Sequence, residues 1–229
     1  IWLKTTDVHL LLKKTFSFRS ADRITAGILA LAVIVQVITV WFIGYQTKDG
    51  LEFCCFWPDS FYHLALINEL VQTFPPIGPG LSNVAVRNYH FLANLVVADL
   101  VRVFTLPLIP TQYQYMPIFI SLLLGGTLIC IAQILNLGKV FTRWLLFFMF
   151  FSGDILFLLT LFLGQGFNLN ITVSENATTL WFSPPRVYAM VILFGGIFFL
   201  VHYLKRRSVV SAILLGIFFG SLVGFKIYL

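Results

Sequence analysis

The chain has 229 residues, of which 59% are hydrophobic, 17% aromatic and only 10% charged, and its mean hydropathy is +0.93. An ordinary soluble domain is about a quarter charged, so these values exclude one and put the chain among membrane proteins. The net charge of +6 does not point to nucleic acid, because the basic residues are not gathered on one soluble face.

Residues 1–23 form a polar, basic lead with a short amphipathic stretch around Val8–Leu12. Residues 24–45, "ITAGILALAVIVQVITVWFIGY", then provide the first run long enough to cross a bilayer, which takes about 20 apolar residues as a helix. That run lacks the small-residue cleavage pattern of a signal peptide. Further spans are expected at 113–136, 140–163, 185–203 and 208–229, about five in all, so the fold class expected is an all-α polytopic bundle. The chain begins at Ile1 and stops inside an apolar segment, "GFKIYL", and reads as a piece of a longer protein.

Between the first two spans lies a loop, 46–112, too long to be a simple connector. Within it "DSFYHLALINELVQTF" has helical apolar spacing, and Pro75, Pro76 and Pro79 in "FPPIGPG" forbid its continuation. "RNYHFLANLVVADLVRVFTLPLIP" then predicts a second helix, interrupted in its apolar character by Asn94 and Asp99. Both helices are expected to lie along the membrane surface. If 90–109 were instead a span, every later orientation would be reversed.

Basic residues set the orientation. With the N-terminus in the cytoplasm, the inner ends hold Lys4, Lys13, Lys14, Arg19, Arg23, Lys139, Arg143, Lys205, Arg206 and Arg207, ten of the fifteen. The outer side keeps Lys48, Arg87, Arg102, Arg186 and Lys226. An inner excess is the usual bias, and it argues against the reversed arrangement. The loop 46–112 is then outside, as is a polar segment, 164–184, with N-x-[ST] matches at Asn170 and Asn176 that matter only in a eukaryotic secretory setting.

The loop carries most of the chemistry. Asp59 or Ser60 is placed to cap the helix after Pro58. Asp59 also shares a helical face with Tyr62, His63 and Leu66, and a carboxylate held at a helix start can accept a proton from an acceptor hydroxyl or amine. Asp59, His63 and His90 are an acceptable metal-ligand set, but hydrogen-bonded interfacial histidines are the commoner case and no metal is assigned. Cys54, Cys55 and Cys130 imply neither a disulfide framework nor a zinc site. Arg87, Arg102, Arg186 and Lys226 would suit a phosphate headgroup if they converge. Asp154, near the middle of the third span, is expected to face a cavity or a partner helix, and small-residue steps such as "LLLGG" and "GSLVGF" read as close helix packing.

An acidic residue opening a long outer loop, followed by "FPP…P", "NYHFL" and a surface helix, resembles the GT-C superfamily of polytopic membrane glycosyltransferases. The similarity is greatest to bacterial relatives of the protein O-mannosyltransferases and of the aminoarabinose and lipopolysaccharide-core sugar transferases. It is carried by 57–95, and more weakly by "SPPRVYAM" and "LVGFKIY". The resemblance implies a polyprenyl-phosphate-linked sugar as donor, transferred on the non-cytoplasmic side of the bacterial plasma membrane to a glycan, lipid or protein acceptor. It implies Asp59 as catalytic base, Arg186, Lys226 and Arg87 for the donor phosphate, and Tyr62, His63, Tyr89 and His90 as site lining. No tandem acidic pair follows Asp59 as in several relatives, so no metal or other cofactor is implied. Two other classes fit the same features: a transporter or flippase of lipid-linked sugars, and a non-catalytic subunit of an envelope glycan assembly.

Overall fold

A computed structural model describes residues 22–53, 58–80, 84–86, 89–151 and 183–225, with only the backbone of Gln46 and Pro58. These residues form seven helices and one hairpin: α1 (Arg23–Trp41), β1 (Ile43–Thr47), β2 (Gly50–Phe53), α2 (Pro58–Gln72), α3 (Leu92–Phe104), α4 (Leu108–Ile134), α5 (Lys139–Phe151), α6 (Pro184–Arg206) and α7 (Val209–Phe225). Three of them, α1, α4 and α6, are long and apolar enough to cross a membrane.

Around a buried apolar core, the outer faces of the helices also carry large apolar side chains, unlike those of a water-soluble protein. Ile24, Leu31, Ile34 and Ile38 on α1, Phe119 and Leu122 on α4, and Phe141, Trp144 and Phe148 on α5 are exposed. Thr25, Gln36, Ser121, Thr142, His202 and Ser211 are buried. Apolar surface outside and polar groups inside is what a lipid solvent selects, since water does not compete there for hydrogen bonds. Helix α1 packs on α4 and α5, α4 on α6, and α6 on α7. Glycines set the close approaches: a Cβ at Gly125 would strike Leu29, and one at Gly195 or Gly196 would strike Phe218 or Phe219.

The antiparallel run of the helices gives the bundle two ends. At one, Asp22 caps α1 by accepting from the Thr25 amide at 2.8 Å, and its other carboxylate oxygen takes a 2.5 Å bond from Arg143 on α5. Capping by Thr25 and the Arg143 guanidinium hold the Asp22 carboxyl well below the usual carboxylate range. Lys205 donates to the Ile134 carbonyl, and His202 Nδ1 lies 2.7 Å from Ser211 Oγ across the α6–α7 turn. Arg23, Lys139, Lys205, Arg206 and Arg207 are exposed here, so this is the basic end. At the other, which we term the loop end, residues 42–107 separate α1 from α4.

Several sequence expectations change. The fold is mostly helical, as expected, with one addition: α1 stops at Trp41 rather than running to 45, and after Gly44, at φ +67°, the chain forms a short hairpin. Thr47 pairs with Gly50 across the Lys48–Asp49 turn, and Gly50 itself lies at φ +135°, where only glycine sits without strain. Helix α4 begins at Leu108, before the expected 113, and its first turns widen: the Met116 N–H reaches back to the Thr111 carbonyl, five residues away. Pro117, lacking an N–H, cannot donate into that turn. Of the five expected spans, the first, second and fourth correspond to α1, α4 and α6. The third is described only as far as Phe151, and α7, in place of the fifth, covers 17 residues. Residues 1–21, Asp154, Asn170 and Asn176 lie outside the described residues.

Candidate functional site at the loop end

Helix α2 starts with Pro58, whose fixed φ and missing N–H suit a first helical position. Asp59 therefore sits inside the first turn rather than capping it, with its carboxylate near the positive end of the helix dipole. The helix buries Ser60, His63, Leu64, Leu66, Ile67 and Leu70 and leaves Asp59 exposed. The face shared by Asp59, Tyr62 and His63 thus runs from solvent at its start to only 3% exposure at His63. Tyr113, from the widened turn of α4, fixes the start of α2 by donating to the Ser60 carbonyl at 3.1 Å. Gln114 ties the same turn to α1 and the hairpin, donating to the carbonyls of Trp41 (2.9 Å) and Ile43 (3.3 Å).

After α2 the prolines reverse the chain. Gly78 N–H donates to the Val84 carbonyl at 2.7 Å and Val86 N–H to that of Pro76 at 2.9 Å, with Ile77 opposite Ala85. This narrow return brings Tyr89 back onto α2. Its ring meets Tyr62 edge-on at 5.4 Å and lies 6.4 Å from the His63 ring, and His90 stacks on it at 4.4 Å. Four of the eight residues named from the sequence, Tyr62, His63, Tyr89 and His90, are therefore one aromatic and imidazole cluster, one turn from Asp59. Burial pushes the Tyr62 hydroxyl above its ordinary pKa.

From that cluster the contacts continue across the bundle. Helix α3 follows directly, and its first residue, Leu92, lies so close to Gly224 on α7 that a Cβ there would strike it. The next residue of α7, Phe225, stacks on Tyr188 in the first turns of α6, with ring centroids at 6.4 Å and planes 14° apart. Arg186 is half-buried two residues before Tyr188, its N–H donating to the Ser183 carbonyl at 2.9 Å. The start of α6 and the end of α7 thus share one end of the bundle with α2 and the return loop. Arg87 and Lys226 lie outside the described residues, Lys226 immediately after Phe225. Arg102 is exposed on α3.

Among the described residues, no three His, Cys, Asp or Glu side chains gather as a metal site would require. The chemistry on offer is an exposed carboxylate at a helix start, a buried imidazole beside tyrosines, and a cation at the start of a long helix. Sequence reasoning missed the anchors Tyr113 and Gln114, together with Tyr188 and Phe225. The signal for the first two was "TQYQY", amides and tyrosines at the entry of an apolar run, where buried polar side chains are costly unless they have a structural or functional role. No family model, curated protein or solved structure matches the chain.

Proposed function

We propose that this protein is a GT-C-type membrane glycosyltransferase that moves a sugar from a polyprenyl-phosphate donor to an acceptor at the loop end of the bundle. The observation that carries the reading is the continuous set of contacts from α2 through Tyr89 and Leu92 to Gly224, Phe225 and Tyr188. It supports a site at which the helix bearing Asp59 and the start of α6, bearing Arg186, act together, with Lys226 as a further phosphate ligand.

In this reading Asp59 takes the proton of the acceptor hydroxyl or amine as that atom bonds to the anomeric carbon. The anomeric C–O bond breaks with its electron pair going to the lipid phosphate. Arg186, with Lys226 and Arg87, holds that phosphate as its charge grows, the guanidinium in a bidentate grip. Tyr62, His63, Tyr89 and His90 line the sugar side. No step calls on a metal. The spans are α1, α4, α6 and α7, together with the one expected from the sequence over 140–163, which begins in α5, with α2 and α3 as juxtamembrane helices. Residues 1–23 and the basic end face the cytoplasm, and the loop end faces the opposite side of a bacterial plasma membrane.

The test is transfer of labelled sugar from a polyprenyl-phosphate donor by protein reconstituted in liposomes. Asp59→Asn should reduce transfer by about 100-fold or more while membrane insertion is retained. Near-normal transfer by that variant would remove Asp59 as the base.

A further inference from the structure

The basic end carries positive charge that the fold does not neutralise. Arg23 opens α1, Lys139 opens α5, and Lys205, Arg206 and Arg207 close α6, all of them exposed. They gather around the α4–α5 turn. The Lys205 ammonium donates to the carbonyl of Ile134, the last residue of α4, and the Asp22–Arg143 pair ties the start of α1 to the first turns of α5. Among the described residues Asp22 is the acidic group at this end, and its carboxylate is already taken by Arg143 and the Thr25 amide.

Two of these cations are held in place. Lys205 uses one of its three ammonium hydrogens on the Ile134 carbonyl and keeps the others for a second partner. Arg207, in left-handed backbone at φ 52°, lies with its guanidinium carbon 5.6 Å from the Tyr203 ring centroid. A cation already positioned loses less freedom when it takes an anion. Beside the charges the surface turns apolar at once: Val140 and Trp144 follow Lys139 on α5, 62% and 54% exposed and one turn apart, and Trp144 stacks on Phe148 at 5.5 Å. Tryptophan at such a position marks a headgroup boundary. A soluble anion would leave this apolar strip bare, and an uncharged lipid would leave the cations unanswered. An anionic headgroup carrying acyl chains matches both.

We propose that the basic end is a binding surface for an anionic phospholipid, its phosphate held by Lys139, Lys205, Arg206 and Arg207 and its chains laid along Val140, Trp144 and Phe148. The surface is distinct from the loop-end site and does not depend on the glycosyltransferase reading.

The test uses the protein in nanodiscs of equal parts phosphatidylglycerol and phosphatidylcholine, with native mass spectrometry counting the lipids that stay bound once the disc is removed. Phosphatidylglycerol should exceed phosphatidylcholine about fivefold or more, the gain from a single basic residue at an anionic surface. Lys139→Gln/Arg206→Gln/Arg207→Gln, at exposed positions, should bring the two lipids near parity without changing thermal unfolding in phosphatidylcholine alone. Arg206→Gln by itself should also lower the enrichment, which keeps the surface readable if the combined variant does not fold. Lys48→Gln/Arg102→Gln, at the loop end, should leave the enrichment intact, and glycerol 3-phosphate in the buffer should not displace the lipid. Parity in the wild-type protein would overturn the proposal, as would enrichment that the basic-end variants retain or that the loop-end variant loses equally. Displacement by glycerol 3-phosphate would mark a site for soluble phosphates and overturn it too.

Discussion

The two ends of the bundle are joined by opposite means. At the basic end the helices turn within a few residues, at Asn136 and Arg207 in left-handed backbone (φ 56° and 52°), and charged groups are used as fasteners: Asp22 with Arg143, Lys205 with the Ile134 carbonyl. At the loop end neutral groups serve as fasteners among the described residues: Tyr113 and Gln114 bond to backbone carbonyls, and rings and glycines make further contacts. Asp59 is left exposed there. Where charges hold helices together they are unavailable for chemistry. In the proposed reading, the exposed Asp59 is kept for the acceptor.

That contrast makes graded predictions, the largest of which is the loss of transfer in Asp59→Asn. Next is Arg186→Ala, which should raise the donor KM by about 10- to 100-fold, the worth of one charge-assisted contact, with a smaller change in kcat. Arg186→Lys should recover only part, because a point charge cannot grip bidentately. Equal donor KM values for wild type and Arg186→Ala would separate Arg186 from the donor. Packing comes third. Gly224→Ala should destabilise the protein by about 1–3 kcal/mol by pressing on Leu92, measured by thermal unfolding in detergent. Leu92→Ala in the same chain should relieve that pressure, giving a double variant less destabilised than the sum of the singles. Strict additivity would mean that α3 and α7 do not meet as described.

Smaller again is Tyr113→Phe, which removes the Tyr113 bond to the Ser60 carbonyl and should cost about 1 kcal/mol. Because Ser60 adjoins Asp59, transfer should fall a few-fold while donor KM is unchanged. The least effect belongs to the basic end. The Asp22 carboxyl titrates below its ordinary value of 3.8, so its contribution is present above that pH and is lost as pH falls below it. Asp22→Asn keeps a capping side chain but loses the Arg143 ion pair, and should lower the neutral-pH Tm by about 1–3 °C. It should also flatten the acid limb of the stability curve below pH 3.8, where an unchanged limb would show that the Arg143 contact contributes nothing.

The sequence made the long apolar helices legible because crossing hydrocarbon requires an uninterrupted run, and α1, α4 and α6 each have one. Helix α2 was legible from Pro58 and the prolines after Phe74, which punctuate the chain whatever surrounds it. The hairpin was not. Phe42–Tyr45 extends the apolar run of α1 without a break, and the strands are too short to show alternation, which left Lys48-Asp49-Gly50 as the sole turn signal. The start of α4 was hidden because "TQYQY" is polar, and its burial rests on tertiary partners, the carbonyls of Trp41, Ile43 and Ser60, that no local pattern reveals. The cluster of Tyr62, His63, Tyr89 and His90 could be named from the sequence, but its assembly depends on the Ile77–Ala85 return.

The most direct test of the account compares one carboxylate from each end. Sugar transfer from a labelled polyprenyl-phosphate donor would be measured for wild type, Asp59→Asn and Asp22→Asn in the same liposomes at neutral pH. The account predicts transfer by wild type and Asp22→Asn at similar rates and a loss of about 100-fold or more in Asp59→Asn. No transfer by the wild-type protein, or equal transfer by all three, would contradict it.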